Sequence, residues 1–149
     1  MKWIVVLRHA NESGTTLGAA KKAMIARAVQ ELLLIRSGRV RVFCSTHPNA
    51  VEAAREFGFG LDAEPEPNDA VSKIDGRSGE AFDALVSTTG DADLALVVTH
   101  KVDVAAAFAH LSQQHGFRLV GSGPFPAAPL QGYYANVDDR EIRFVAHEG

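Results

Sequence analysis

The chain has 149 residues, 46% hydrophobic and 22% charged, which fits one ordinary soluble domain with enough length to bury a core. A net charge of −3 without any basic run argues against nucleic acid or a membrane surface as partner. The one cysteine, Cys44, rules out an intrachain disulfide and a CxxC metal site, and neither metal nor cofactor is expected. The apolar runs are too short to span a bilayer, and no signal peptide opens the chain, so the cytoplasm is the expected compartment.

Ile4 to Leu7 is a short, continuous β-branched run, the pattern of a strand covered on both faces. A polar loop over 11–16 follows. From Leu17 to Arg36 apolar residues recur at helical spacing (Ile25, Ala28, Val29, Leu32, Leu33), predicting an amphipathic helix that ends near Ser37-Gly38. Val40 to Cys44 is a second buried strand. Ser45-Thr46-His47-Pro48 looks like a helix start, because a hydroxyl caps free amides and proline suits the first turn. That helix is expected to stop at Gly58.

Residues 60–79 are rich in proline and acids and form mostly loop around a short strand, with Ser78 placed to cap a helix over 79–86. Asp93 to Thr99 is the third strong strand and 102–114 the helix after it. A glycine- and proline-rich connection over 121–129 leads to two runs of β character, 130–137 and 141–146, with a hairpin turn at Asp138-Asp139-Arg140. This alternation predicts a single three-layer α/β/α domain spanning 1–149. Its central sheet is mostly parallel with an antiparallel edge.

Two of the strands run straight into a histidine. Trp3-Ile4-Val5-Val6-Leu7 leads to Arg8-His9, and Leu94-Ala95-Leu96-Val97-Val98 leads to Thr99-His100. In an open α/β sheet, polar groups at the carboxyl ends of central strands converge on the ligand crevice. A guanidinium is a permanently charged fork that matches two phosphate oxygens. An imidazole beside it can attack phosphorus, and a second imidazole can donate to the oxygens where charge develops.

Three segments resemble the histidine phosphatase superfamily, the phosphoglycerate mutase-like proteins. Val5-Val6-Leu7-Arg8-His9-Ala10 is similar to its strand plus Arg-His-Gly. Phe43 to Ala54 is similar to its strand followed by Ser-x-x-x-Arg-Ala-x-x-Thr-Ala, and Val97-Val98-Thr99-His100 to its Val-x-x-His. The short segment between the second and third motifs looks most like the compact bacterial phosphohistidine phosphatase branch. The same shortness argues against a mutase.

The resemblance implies a metal-independent phosphatase that acts through a phosphohistidine, on a phosphohistidine protein or a small phosphorylated molecule. His9 would be the nucleophile, Arg8 would bind the phosphoryl oxygens and His100 would donate to them. Asp69 is the candidate for the family's acid, and Asn11 lies in the polar loop behind the nucleophile.

Two departures carry weight. Asn49 stands where the family has its second phosphate-binding arginine, and losing that charged clamp would cost ~2–4 kcal/mol of transition-state stabilisation, on the scale of one oxyanion-hole donor. His47 and Lys101 are the nearby groups expected to compensate, whereas Arg55 lies far enough along its helix to face solvent. Ala10 replaces glycine, and Glu12 places an acid where a phosphate would be repelled. An alternative therefore accompanies the phosphatase: a weakened relative that binds a phosphorylated ligand or partner without turning it over.

Overall fold

The computed structural model describes residues 2–10, 17–35, 38–71, 92–123 and 127–146. Strand β1 (Trp3–Arg8) is followed by α1 (Ala19–Ile35), β2 (Val40–Cys44), α2 (Pro48–Leu61) and β3 (Pro65–Pro67). A 3-10 turn (Asp69–Val71) comes next, then β4 (Leu94–Thr99), α3 (Lys101–Gln114), β5 (Arg118–Leu119), β6 (Gln131–Asn136) and β7 (Glu141–Ala146). The helix expected over 79–86, and the polar loop holding Asn11 and Glu12, lie outside the described residues.

The described strands form one sheet in the order β3-β2-β4-β1-β6-β7-β5. Strand β4 is flanked by β2 and β1, both parallel to it, and β3 runs parallel to β2. The antiparallel pairings lie on the other side, where β6 pairs with β1 and β7. The sheet is thus mostly parallel, as the alternating pattern requires.

Side chains on a strand alternate between the two faces of a sheet. Val5, Leu7, Leu94, Leu96 and Val98 face one side, packed with Ile25 and Leu32 of α1 and Ala53 and Phe57 of α2. Ile4, Val6, Ala95 and Val97 face the other, against Val104, Ala107 and Leu111 of α3. Both faces are covered, which gives three layers and explains why these strands are apolar throughout. All six residues of β4 are buried. With roughly 1.5–3 kcal/mol for each buried Leu or Val, the end of β4 is a firmly held ledge. Among the described residues, no helix is long and apolar enough to cross a membrane.

Helix α2 does not stop at Gly58 but continues to Leu61, where Asp62 adopts a left-handed conformation (φ 55°) and its amide bonds the Gly58 carbonyl. Gly58 serves close approach instead of termination. A Cβ there would sit 2.3 Å from the Ala63 carbonyl oxygen, and one at Gly60 would sit 2.7 Å from Val29 of α1. Strand β5 was not expected. It is two residues long and follows Gly116, which takes a left-handed φ of 71°. The hairpin joining β6 to β7 is present, with Arg140 in the left-handed region at its end.

Candidate active site at the ends of three parallel strands

The order β2-β4-β1 explains the site. His9 is the first residue after β1, Ser45 the first after β2 and His100 the first after β4. Backbone bonds carry the register past the strand ends: the His9 amide donates to the Thr99 carbonyl (2.9 Å) and the Ser45 amide to the Val98 carbonyl (3.1 Å). Neighbouring strands lie about 4.8 Å apart, so their exit residues must stand side by side. The ring centroids of His9 and His100 are 5.2 Å apart and perpendicular, and those of His47 and His100 are 5.3 Å apart. Three imidazoles therefore form a row at the spacing of the strands beneath them.

Two helices begin at the same mouth. His47 is the N-cap of α2 with Pro48 in the first turn, and His100 is the N-cap of α3. Two 14-residue helices thus start here with their positive dipole ends, which favours an anion there. The cap of α2 is an imidazole and not the hydroxyl that the sequence suggested: the Asn49 amide donates to His47 Nδ1 at 3.3 Å. An amide N–H only donates, so neutral His47 carries its proton on Nε2. The Ser45 hydroxyl accepts from the His47 amide at 3.3 Å and lies 2.9 Å from His100 Nε2.

His9 is buried at the foot of the row, only 8% exposed. Arg8 is half-buried and its Nη1 donates to the Ala127 carbonyl at 3.2 Å, which ties the guanidinium to the connection entering β6. Burial holds the pKa of His100 below its ordinary value, and the nearby His47 and Arg8 act in the same direction, whereas Asp103 opposes them. His100 is accordingly a neutral imidazole at neutral pH. Asp103 is buried one turn into α3, near the hydroxyl of the buried Thr99, which itself donates to the Val71 carbonyl.

The remaining candidates fall into three groups. Asn49 is buried in the first turn of α2, 7% exposed, beside His47. Lys101 opens α3 at the same mouth and is exposed. Asp69 is exposed on the 3-10 turn and accepts from the Thr46 hydroxyl at 3.2 Å, which places it on the rim beyond the imidazole row. Asn11 lies outside the described residues. Arg55 is exposed, as expected, and lines a groove with Phe59, Glu64 and Pro65. Among the described residues, no group of three or more histidines, cysteines or carboxylates is set to hold a metal ion.

Sequence reasoning did not single out Ser45, whose hydroxyl lies beside His100, or Thr99, whose buried hydroxyl bonds the Val71 carbonyl. The signal was present for Ser45, which leaves its strand at the same position as the two histidines. Thr99 carried no such signal, because it is the last residue of a buried strand.

No family model matches the sequence, and no curated protein matches it. Solved structures do. A protein histidine phosphatase, SixA, complexed with tungstate superposes with a TM-score of 0.69 at 16% identity, over 97% of this chain and 94% of that one. The SixA protein of Agrobacterium tumefaciens gives 0.70 at 15% identity, over 99% and 98%. A phosphoglycerate mutase from Plasmodium falciparum gives 0.62 at 14%, over 97% and 89%. Near-complete coverage in both directions, together with the strand order, leads to one conclusion: the chain carries the phosphoglycerate mutase-like α/β fold that these solved structures share.

Proposed function

We propose that this protein is a metal-independent phosphatase that works through a phosphohistidine at His9, on a phosphohistidine protein or a small phosphoester in the cytoplasm. The observation that carries the reading is the 5.2 Å juxtaposition of the His9 and His100 rings, beside Arg8 and two helix N-termini. A tetrahedral oxyanion, tungstate, is bound in one of the similar phosphatases, and a pocket of this composition suits phosphate equally.

An imidazole nitrogen of His9 attacks phosphorus in line. The N–P bond forms as the bond to the leaving oxygen or nitrogen breaks. Arg8 and the helix amides hold the equatorial oxygens, and His100 donates to them as their charge grows. His47 offers its Nε2–H, and Lys101 adds charge at the mouth, in place of the arginine that Asn49 replaces. Asp69 on the rim is the carboxyl available to protonate an alkoxide leaving group. An imidazole leaving group from a phosphohistidine needs no such acid. Water then attacks phosphorus, the N–P bond breaks, and phosphate and free His9 result.

One observation favours the second reading, a binder of phosphorylated partners without turnover. Asn49 is buried where a charged clamp would stand, and an amide supplies no charge. Hydrolysis of an aryl phosphate and of phosphoramidate by the wild-type chain and by His9→Gln separates the two. The phosphatase reading expects turnover by the wild type alone, indifferent to chelators. Phosphate binding without turnover supports the binder.

A further inference from the structure

We propose that the groove between α2 and β3 extends the phosphoryl site and binds the extended polypeptide segment that flanks a phosphorylated histidine. An acidic residue of that segment meets Arg55, and a basic one meets Asp62 and Glu64. The inference rests on the reading of the His9 and His100 pocket as a phosphoryl site.

The groove has a volume of about 580 Å³ and is lined by α2, β3 and the turn between them. Its upper end adjoins the mouth of the site. There the Val51 amide donates to the His47 carbonyl at 3.1 Å, and Pro67 pairs in register with Cys44, the residue before Ser45. At the lower end Phe59, in the last turn of α2, is 74% exposed. An aromatic ring and an arginine are the residue types enriched at protein interfaces. Arg55 stands between the two ends, close enough to β2 for its charge to act on the Cys44 thiol. Among the described residues, Arg55, Asp62 and Glu64 make no ion pair, so three charges line one groove and await a partner.

The length of the groove selects a polypeptide. A helix rises 1.5 Å per residue, which sets Arg55 about 12 Å along α2 from His47 and Asp62 about 10 Å further. An extended chain advances about 3.3 Å per residue. A segment anchored at the mouth by its phosphorylated side chain therefore meets Arg55 about three or four residues away, and the carboxylates about six or seven away. A small phosphoester does not reach either. Strand β3 is last in the sheet order, but Pro65 and Pro67 have no N–H to offer an added strand. Recognition falls to side chains, and the order of charges is its code.

The test is fluorescence anisotropy of the full chain with two dye-labelled fifteen-residue peptides centred on the hydrolysis-resistant phosphoryltriazole analogue of phosphohistidine. One peptide carries Glu at the third and fourth positions on both sides of the analogue and Lys at the sixth and seventh. The other exchanges Glu and Lys. The first should bind about tenfold more tightly at low salt, and the two should converge near about 0.5 M salt as exposed charges are screened. Arg55→Glu should bring the ratio within twofold, and Phe59→Ser should weaken both peptides about threefold. Arg118→Glu, on β5 at the opposite edge of the sheet, should leave the ratio as it is. Equal affinities in the wild type, or a ratio untouched by Arg55→Glu, overturn the proposal. So does a dimer in sedimentation velocity that Phe59→Ser dissociates, because a second copy then fills the groove. Inorganic phosphate is titrated in parallel as a competitor. A chain that binds phosphate but treats the peptides alike overturns the groove alone, and one that binds neither phosphate nor the analogue overturns the phosphoryl site with it.

Discussion

Replacing Asn49 by arginine tests how this site manages charge. A phosphoryl group brings about two negative charges. Arg8 supplies one positive charge, and the N-termini of α2 and α3 supply about half a charge each. The site is thus closer to balance than the sequence alone implied, and an added guanidinium has less to correct. A neutral hydrogen bond contributes about 0.5–1.5 kcal/mol and one to a charged group about 1.5–3. The expected gain is the difference, about 1–2 kcal/mol, or roughly 5- to 30-fold in kcat/KM. That lies below the ~2–4 kcal/mol that the loss of a clamp would cost in a site without compensation. Asn49 is only 7% exposed, so the longer side chain should also reduce stability by about 1–3 kcal/mol through overpacking. The assay is kcat/KM for an aryl phosphate, with thermal unfolding of the same samples. A folded Asn49→Arg protein with unchanged or lower kcat/KM would refute the argument that missing charge limits the rate.

Because burial depresses the pKa of His100, the unfolded chain takes up its proton at a higher pH than the folded chain. The folded state therefore keeps its full stability above about pH 6.5 and loses part of it as pH falls through that value. His100→Gln should flatten this slope in urea titrations at pH 7.5 and 5.5, and equal slopes would contradict the assignment. Gly58→Ala gains about 1 kcal/mol of helix propensity but sets a Cβ against the Ala63 carbonyl. A net loss of about 1–3 kcal/mol is expected in the same titration, and a gain would refute the close-approach explanation. Burial pushes the Cys44 thiol up to about 11. It should resist a disulfide reagent at pH 8 until the chain unfolds, and rapid labelling of the folded protein would count against the buried strand.

The strands that build the site were legible because they are continuous apolar runs ending in polar residues, and burial on both faces leaves no other pattern for them. The pairing of His9 with His100 followed from those strand ends. The misread features depend on neighbours distant in sequence. Gly58 looks like a helix stop until the Ala63 carbonyl is seen beside it. His47 does not resemble a cap, because the familiar caps are hydroxyls and carboxamides, yet Nδ1 accepts an amide as a serine oxygen would. Ser45 became a site residue only when β4 was placed between β2 and β1, which brings its hydroxyl to His100. Asp69 was chosen as a carboxyl in the middle region. Its bond to Thr46, which could not be read from the sequence, holds it beside the loop that leaves β2.

The central claim is that His9 takes the phosphoryl group. Its most direct test is to mix the protein with phosphoramidate, quench in alkali, where phosphohistidine survives, and locate the added mass by peptide sequencing. The account predicts phosphate on His9, more of it in His100→Gln if that change slows hydrolysis of the intermediate. Turnover with no phosphorylated histidine, or with the label on His47 or His100, would contradict it.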